Sequence, residues 1–185
     1  MKLVVGLGNP GKRYERTRHN VGYLVLAELG RRFGVGAAKA RFHGEVLEAS
    51  LEGVRALLLS PTTYMNRSGL SVQAARAFYK LPEDDILVIC DDLNLPIAKL
   101  RIRRGGSSGG QKGVEDIIRR LGSDQFPRLR IGIGSAPDAW QAADYVLGKI
   151  PDQEIEAVQR AVQESADAVV MWAHAGIDAC MNRYN

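Results

Sequence analysis

The stretch Lys2-Leu3-Val4-Val5-Gly6-Leu7-Gly8-Asn9-Pro10-Gly11 carries the decision about fold class. Residues 2–7 read as a buried strand, apolar without alternation, ending in glycines and a proline. Gly6, Gly8 and Gly11 match the G-x-G-x-x-G spacing of dinucleotide-binding folds, in which a helix opens at the motif. Here the helical period begins only at Val21, with Val21, Leu24, Val25, Leu29 and Phe33 at helix spacing. No suitable acidic residue ends a second strand about 20 residues further on. The strand therefore opens an α/β layered fold but not a nicotinamide or flavin site.

Downstream, residues 45–50 and 54–59 flank Leu51-Glu52-Gly53 and read as a hairpin. Ser68 is placed to cap a helix running to about Tyr79, with Leu81-Pro82 as its stop. Residues 86–90 form a short apolar strand that ends in Asp91-Asp92. Residues 97–104 alternate apolar and basic and read as a half-exposed strand. A loop over 105–110, a helix over 113–121, a strand over 129–133 and a long amphipathic helix over 152–174 follow. Strands alternating with helices, plus one hairpin, predict a single α/β domain over residues 1–185. It holds a mixed β-sheet flanked by helices on both faces. Sites in such sheets gather at the carboxyl ends of central strands. Those ends hold Asn9, residues 61–66 and Asp91.

The chain has 185 residues, 45% hydrophobic and 25% charged, which excludes a disordered tail, a coiled coil and a collagen-like repeat. Its longest apolar runs are far short of the ~20 residues of a membrane helix. Glycines interrupt the N-terminus before a signal-peptide core forms. Two cysteines, Cys90 and Cys180, make neither a disulfide framework nor a zinc site. A cytoplasmic protein with reduced thiols is expected. The net charge of +4 is unevenly spread. Residues 1–41 carry nine Lys/Arg against two Asp/Glu, and residues 97–130 nine against three. Two basic blocks that also hold the glycine-rich segments point to a polyanionic partner, and phosphate-rich nucleic acid is the usual one.

Gly105-Gly106-Ser107-Ser108-Gly109 matches the G-x-S-x-G nucleophile elbow. The preceding residues, 101–104, are basic rather than a buried central strand, and the serines follow both His19 and Asp91 in the chain. The segment also lacks the Gly-Lys-Ser/Thr end of a P-loop. His43 and His174 read as structural. His19 lies in the polar segment Thr17-Arg18-His19-Asn20 between a strand and a helix, where catalytic groups concentrate. Asp91, at a strand end, is suited to orient an imidazole and raise its basicity. Asn9 and Asn66 offer neutral amides for a carbonyl or a water. With no placed nucleophile and no three-ligand metal set, a histidine-activated water is the chemistry left.

These residues resemble the signature of bacterial peptidyl-tRNA hydrolases. The likeness runs through Gly6-Leu7-Gly8-Asn9-Pro10-Gly11, Tyr14, Thr17-Arg18-His19-Asn20 and Gly22. It continues in Pro61-Thr62-Thr63-Tyr64-Met65-Asn66-Arg67-Ser68-Gly69 and Asp91-Asp92-Leu93-Asn94-Leu95-Pro96. Residues 128–134 and Tyr145-Val146-Leu147-Gly148-Lys149 complete it. The resemblance implies hydrolysis of the ester between a peptide and the terminal ribose of tRNA, by a monomeric cytoplasmic enzyme without metal or cofactor. It makes His19 the general base, Asp91 its orienting carboxylate, and Asn9 the residue that tells N-blocked from free aminoacyl-tRNA. Tyr64, Met65 and Asn66 fall in the cleft for the peptide and the tRNA 3′ end, Tyr14 lies near the same end, and Asn20 and Lys112 are expected among the substrate- or tRNA-binding residues. Arg103 and Arg130 match positions that grip a phosphate of the acceptor end, with Arg101 and Arg104 extending the grip.

The chain departs from the pattern at Gln111-Lys112-Gly113, where the family reads His-Asn-Gly, and at Asn94, where it often has Asp. Lys112 keeps hydrogen-bond donors but loses an amide acceptor and adds a charge. Two rival readings remain at this point. One is a non-catalytic RNA-binding relative of the same fold; the other is a serine hydrolase using Ser107 or Ser108.

Overall fold

A computed structural model describes residues 1–185. Its seven strands are β1 (Lys2–Gly6), β2 (Gly34–Arg41), β3 (Gly44–Leu51), β4 (Val54–Pro61), β5 (Ile86–Asp92), β6 (Leu100–Arg103) and β7 (Arg128–Gly132). They form one sheet in the order β2-β3-β4-β1-β5-β7-β6. The four central strands β4, β1, β5 and β7 run parallel. The edge pairings are antiparallel. Helices α1 (Val21–Phe33) and α5 (Asp152–Tyr184) cover one face; α2 (Ser68–Tyr79) and α3 (Lys112–Leu121) cover the other.

The pleat of β1 and β5 divides the core. Val4, Leu87 and Ile89 face α1 and α5, meeting Val25, Leu29, Val169 and Trp172. Leu3, Val5, Val88 and Cys90 face α2 and α3, meeting Val72, Val114, Ile117 and Phe126. Burial on both faces is why these strands read as unbroken apolar runs.

Two of the three glycines that imitate a dinucleotide fingerprint, Gly6 and Gly8, serve helix packing against α1. A Cβ on Gly6 would lie 2.4 Å from the Gly22 carbonyl oxygen, and one on Gly22 would lie 2.5 Å from the Leu7 backbone. The α1 and β1 backbones therefore touch. This seats the N-terminal end of α1 over the carboxyl ends of β1 and β5.

Five elements differ from the sequence expectation. β2 is an added edge strand, exposed along its length and with a register shift between Val35 and Lys39. Its glycines and alanines carry neither alternation nor β-branching. Ser68 is not a cap: its hydroxyl donates to the Met65 carbonyl at 2.8 Å, and Arg67 holds the cap position. The strand expected over 97–104 shrinks to β6, because residues 97–99 turn, with Ala98 at φ 63°. The last helix runs beyond His174 to Tyr184 and breaks at Gly176, where φ 80° and ψ 177° suit glycine alone. A short helix α4 (Ala142–Val146) was not foreseen and packs beside residues 18–20.

Candidate active site

Asp91 is the sixth residue of β5 and shares the face of Leu87 and Ile89, so its carboxylate points toward the N-terminal end of α1. There the 3-10 turn Arg18–Asn20 presents His19. His19 Nδ1 lies 2.8 Å from Asp91 Oδ2, and the two residues are only 9% and 2% exposed. The carboxylate accepts, so Nδ1 carries the proton and Nε2 is the open base. The turn is fixed by a short antiparallel ladder. Arg18 N donates to Gly148 O at 3.0 Å and Ile150 N to Arg16 O at 2.9 Å, with a bridge between Thr17 and Lys149. Arg18 is buried, with its guanidinium 4.1 Å from the Tyr145 ring centroid. A Cβ on Gly148 would lie 2.7 Å from Arg18 Nη1, so a larger residue there would displace the guanidinium.

The other oxygen of Asp91 is also engaged. Gln111 Nε2 donates to Asp91 Oδ1 at 3.0 Å, while Gln111 Oε1 accepts the Val114 N–H at 2.8 Å and caps α3. Lys112 pairs with Glu115 at 3.0 Å along α3. Asp92 accepts from the Asn94 N–H at 2.8 Å and faces Arg130 Nη2 at 2.6 Å. His19, Asp91, Gln111, Lys112 and Arg130 together line a cleft of about 290 Å³ that α4 closes on one side.

A second cluster adjoins this cleft. Asn9 N donates to Asn20 Oδ1 at 2.9 Å, Asn20 Nδ2 to Asn9 O at 3.0 Å, and Met65 N to Asn9 Oδ1 at 2.7 Å. Asn20 is thus committed to holding Asn9, and the Asn9 amino group makes no bond within the protein. Met65 is buried, whereas Tyr64 and Asn66 are exposed. Tyr64 has a left-handed backbone, φ 62°, and meets Tyr14 edge-on with centroids 6.4 Å apart. Tyr23 donates from its phenol to Pro61 O, tying α1 to the end of β4. Burial, and then the nearby Glu45 charge, push the Tyr23 phenol far above its ordinary range.

These motifs and their order along the chain are matched by the sequence profile of peptidyl-tRNA hydrolases over residues 3–185. The chain belongs to that family. It is 54% identical to the peptidyl-tRNA hydrolase of Rhodopirellula baltica over 185 residues, covering 100% of this chain and 97% of the relative. It is 47% identical to that of Geobacillus kaustophilus, covering 100% of both. The crystal structure of the Acinetobacter baumannii peptidyl-tRNA hydrolase superposes with a TM-score of 0.93 at 36% identity, covering 100% of this chain and 94% of the other. The activity of this family member is hydrolysis of peptidyl-tRNA.

Arg130 lines this cleft, whereas Arg101, Arg103, Arg104 and Arg128 lie beyond it. On the β6–β7 pair Arg101 stands opposite Arg130, and Arg103 opposite Arg128, all on the α2/α3 side of the sheet. Arg128 is buried and donates to Ser107 O and Asp124 O at 2.5 and 3.0 Å, so it shapes the glycine-rich loop. Desolvation lowers its pKa. Arg104 pairs with Asp178 at 2.5 Å. Arg101 leaves its Nε without a partner, and Arg103 is exposed. Ser108 Oγ accepts only from Gly110 N at 3.3 Å, and His19 bonds Asp91 rather than either serine. The set predicted from sequence lacked Gln111, Tyr23 and the Arg18–Tyr145 stack. Arg18, Tyr145 and Gly148 all lie in blocks shared with the family, but nothing in the sequence pairs them.

Proposed function

We propose that His19 takes a proton from a water that attacks the ester carbonyl of peptidyl-tRNA. The observation that carries this is the buried His19–Asp91 pair at 2.8 Å, which leaves Nε2 as the open nitrogen in the cleft. Water adds to the carbonyl carbon as its proton passes to Nε2. The tetrahedral adduct collapses, the ribose oxygen leaves, and the imidazolium returns the proton to it. Asp91 favours the imidazolium without itself becoming protonated. Asn9 donates from its amino group to a substrate carbonyl, with Asn20 and Met65 holding it in place. Tyr14, Tyr64 and Asn66 border the unpaired 3′ end, where stacking on an aromatic ring is worth ~1–3 kcal/mol per base. Arg101, Arg103 and Arg130 hold an acceptor-stem phosphate, and Lys112 stands at the cleft wall between the two. The enzyme acts as a cytoplasmic monomer.

The test is turnover of an N-blocked aminoacyl-tRNA. His19→Ala is expected to lose ~10²–10⁴ in kcat while still binding tRNA, since a placed general base contributes about that much. Asp91→Asn is expected to lose less. A His19→Ala protein that turns over at the parent rate sinks the assignment.

A further inference from the structure

Asp91 has two carboxylate oxygens, and His19 uses only Oδ2. Oδ1 accepts from Gln111 Nε2 at 3.0 Å. The polarity of that amide is settled by its other end. Gln111 Oε1 faces the Val114 N–H at 2.8 Å, which admits only an acceptor, so the amino group faces Asp91. Met65 Sδ lies 3.1 Å from the same Nε2. Glutamine is not among the favoured helix caps; Ser, Thr, Asp and Asn are. Those shorter side chains satisfy Val114 equally well, but none spans from the start of α3 to Asp91. The choice of glutamine is explained by the second bond.

We infer that Gln111 is a positioning residue of the catalytic centre, holding the Asp91 carboxylate in line with His19 and taking up part of its charge. This inference rests on the reading of His19 as the base. A donated hydrogen bond stabilises the carboxylate and weakens its pull on the imidazole proton. Losing the Gln111 bond leaves more of the carboxylate charge acting on the imidazole and favours its charged form. Gln111 itself does not titrate. The other charged or titratable groups about the pair are Asp92, which faces Arg130, Lys112, which pairs with Glu115, and Arg18, which stacks on Tyr145. Cys90 lies behind Asp91, its thiol pushed up by burial.

Two variants separate holding from capping. Gln111→Met fills the space but neither donates nor caps. Gln111→Ser caps but does not reach Asp91. In both, the acidic limb of the pH profile of kcat/KM is expected to move up by about one unit, the scale of a changed charge environment. KM stays within about twofold, and the deficit shrinks as pH rises. The Tm falls in Gln111→Met alone. An imidazole NMR titration of the substrate-free protein gives the same upward shift of the His19 midpoint without turnover. It therefore tests the Gln111 contact even if His19 proves not to be the base. An unmoved His19 midpoint in Gln111→Met, or a loss of rate equal at every pH, overturns the inference and leaves Gln111 a cap.

Discussion

Asn9 commits its side-chain oxygen to the Met65 N–H and leaves its amino group unbonded, so substitution separates fold from chemistry at one position. Asn9→Asp keeps an acceptor for Met65 and loses the donor. Its Tm is expected to stay within a degree or two of the parent. Its kcat/KM on N-blocked aminoacyl-tRNA is expected to fall by ~10²-fold, the scale of one lost catalytic donor. Asn9→Ala adds a stability cost of ~1 kcal/mol for the orphaned Met65 N–H, seen as a lower melting temperature. An Asn9→Asp enzyme as active as the parent removes Asn9 from the chemistry. The thiols are the inert residues of the molecule. Burial pushes the Cys180 thiol up to about 11 and the Cys90 thiol higher still. A disulfide reagent at pH 8 is expected to label neither until the protein unfolds. Asp91 and Asn9 were legible in the sequence because each is a polar residue where an apolar run stops, and His19 because it lies in a polar segment between a strand and a helix. Gln111 and Arg18 were not, because their meaning lies in partners distant along the chain: Asp91 is 20 residues from Gln111, and the Tyr145 carbonyl 127 from Arg18.

Among the elements, α1 carries the site, because its first turn follows directly from His19 and Asn20. Gly22→Ala drives a methyl group into the Leu7 and Ile89 backbones, which lie 2.5 and 2.7 Å from its Cβ. Backbone has no rotamer to yield, so a loss of about 1–3 kcal/mol in stability is expected from denaturant titration. The rate should fall with it, since lifting α1 moves His19 away from Asp91. At the other end of α1, Glu28 accepts from Arg31 at 2.8 Å and Arg32 at 2.5 Å, and Arg32 reaches Asp167 on α5 at 2.7 Å. The bond from Arg31 and then that from Arg32 lower the Glu28 pKa from 4.5 to about 2. A depressed carboxyl stabilises the fold above its unfolded pKa and loses that contribution as pH falls through the folded one. Glu28→Gln is therefore expected to cost about 0.5 kcal/mol near neutrality, as surface pairs do. The difference from the parent should narrow between pH 4.5 and about 2 in melts across that range. Strands with one apolar period and helices with another were readable. β2 and α4 were not: β2 gains its order from backbone pairing with β3, and α4 has only five residues.

Across the whole molecule the arginines of the second basic block divide between different duties. The 97–130 block forms β6, the glycine-rich loop, α3 and the start of β7, and pairing sets its arginines face to face. Like charges directly opposite on neighbouring strands oppose folding. Arg128 escapes by bonding loop carbonyls, Arg130 by facing Asp92, and Arg104 by pairing with Asp178. Arg101 and Arg103 have no carboxylate partner. A phosphate bridging them would relieve the repulsion and release counterions from the nucleic acid. Arg103→Ala is therefore expected to weaken binding of all tRNAs alike and to flatten the slope of log affinity against log salt by about one unit. A short N-blocked aminoacyl-oligonucleotide without an acceptor stem should be cleaved equally by variant and parent, because Arg103 stands outside the His19 cleft. If Arg103→Ala instead cripples cleavage of the stemless substrate and leaves the salt slope on full tRNA unchanged, Arg103 belongs to the ester site. The separation of chemistry at the strand ends from phosphate grip at the sheet edge then fails. If neither assay moves, the arginines are a solvated face.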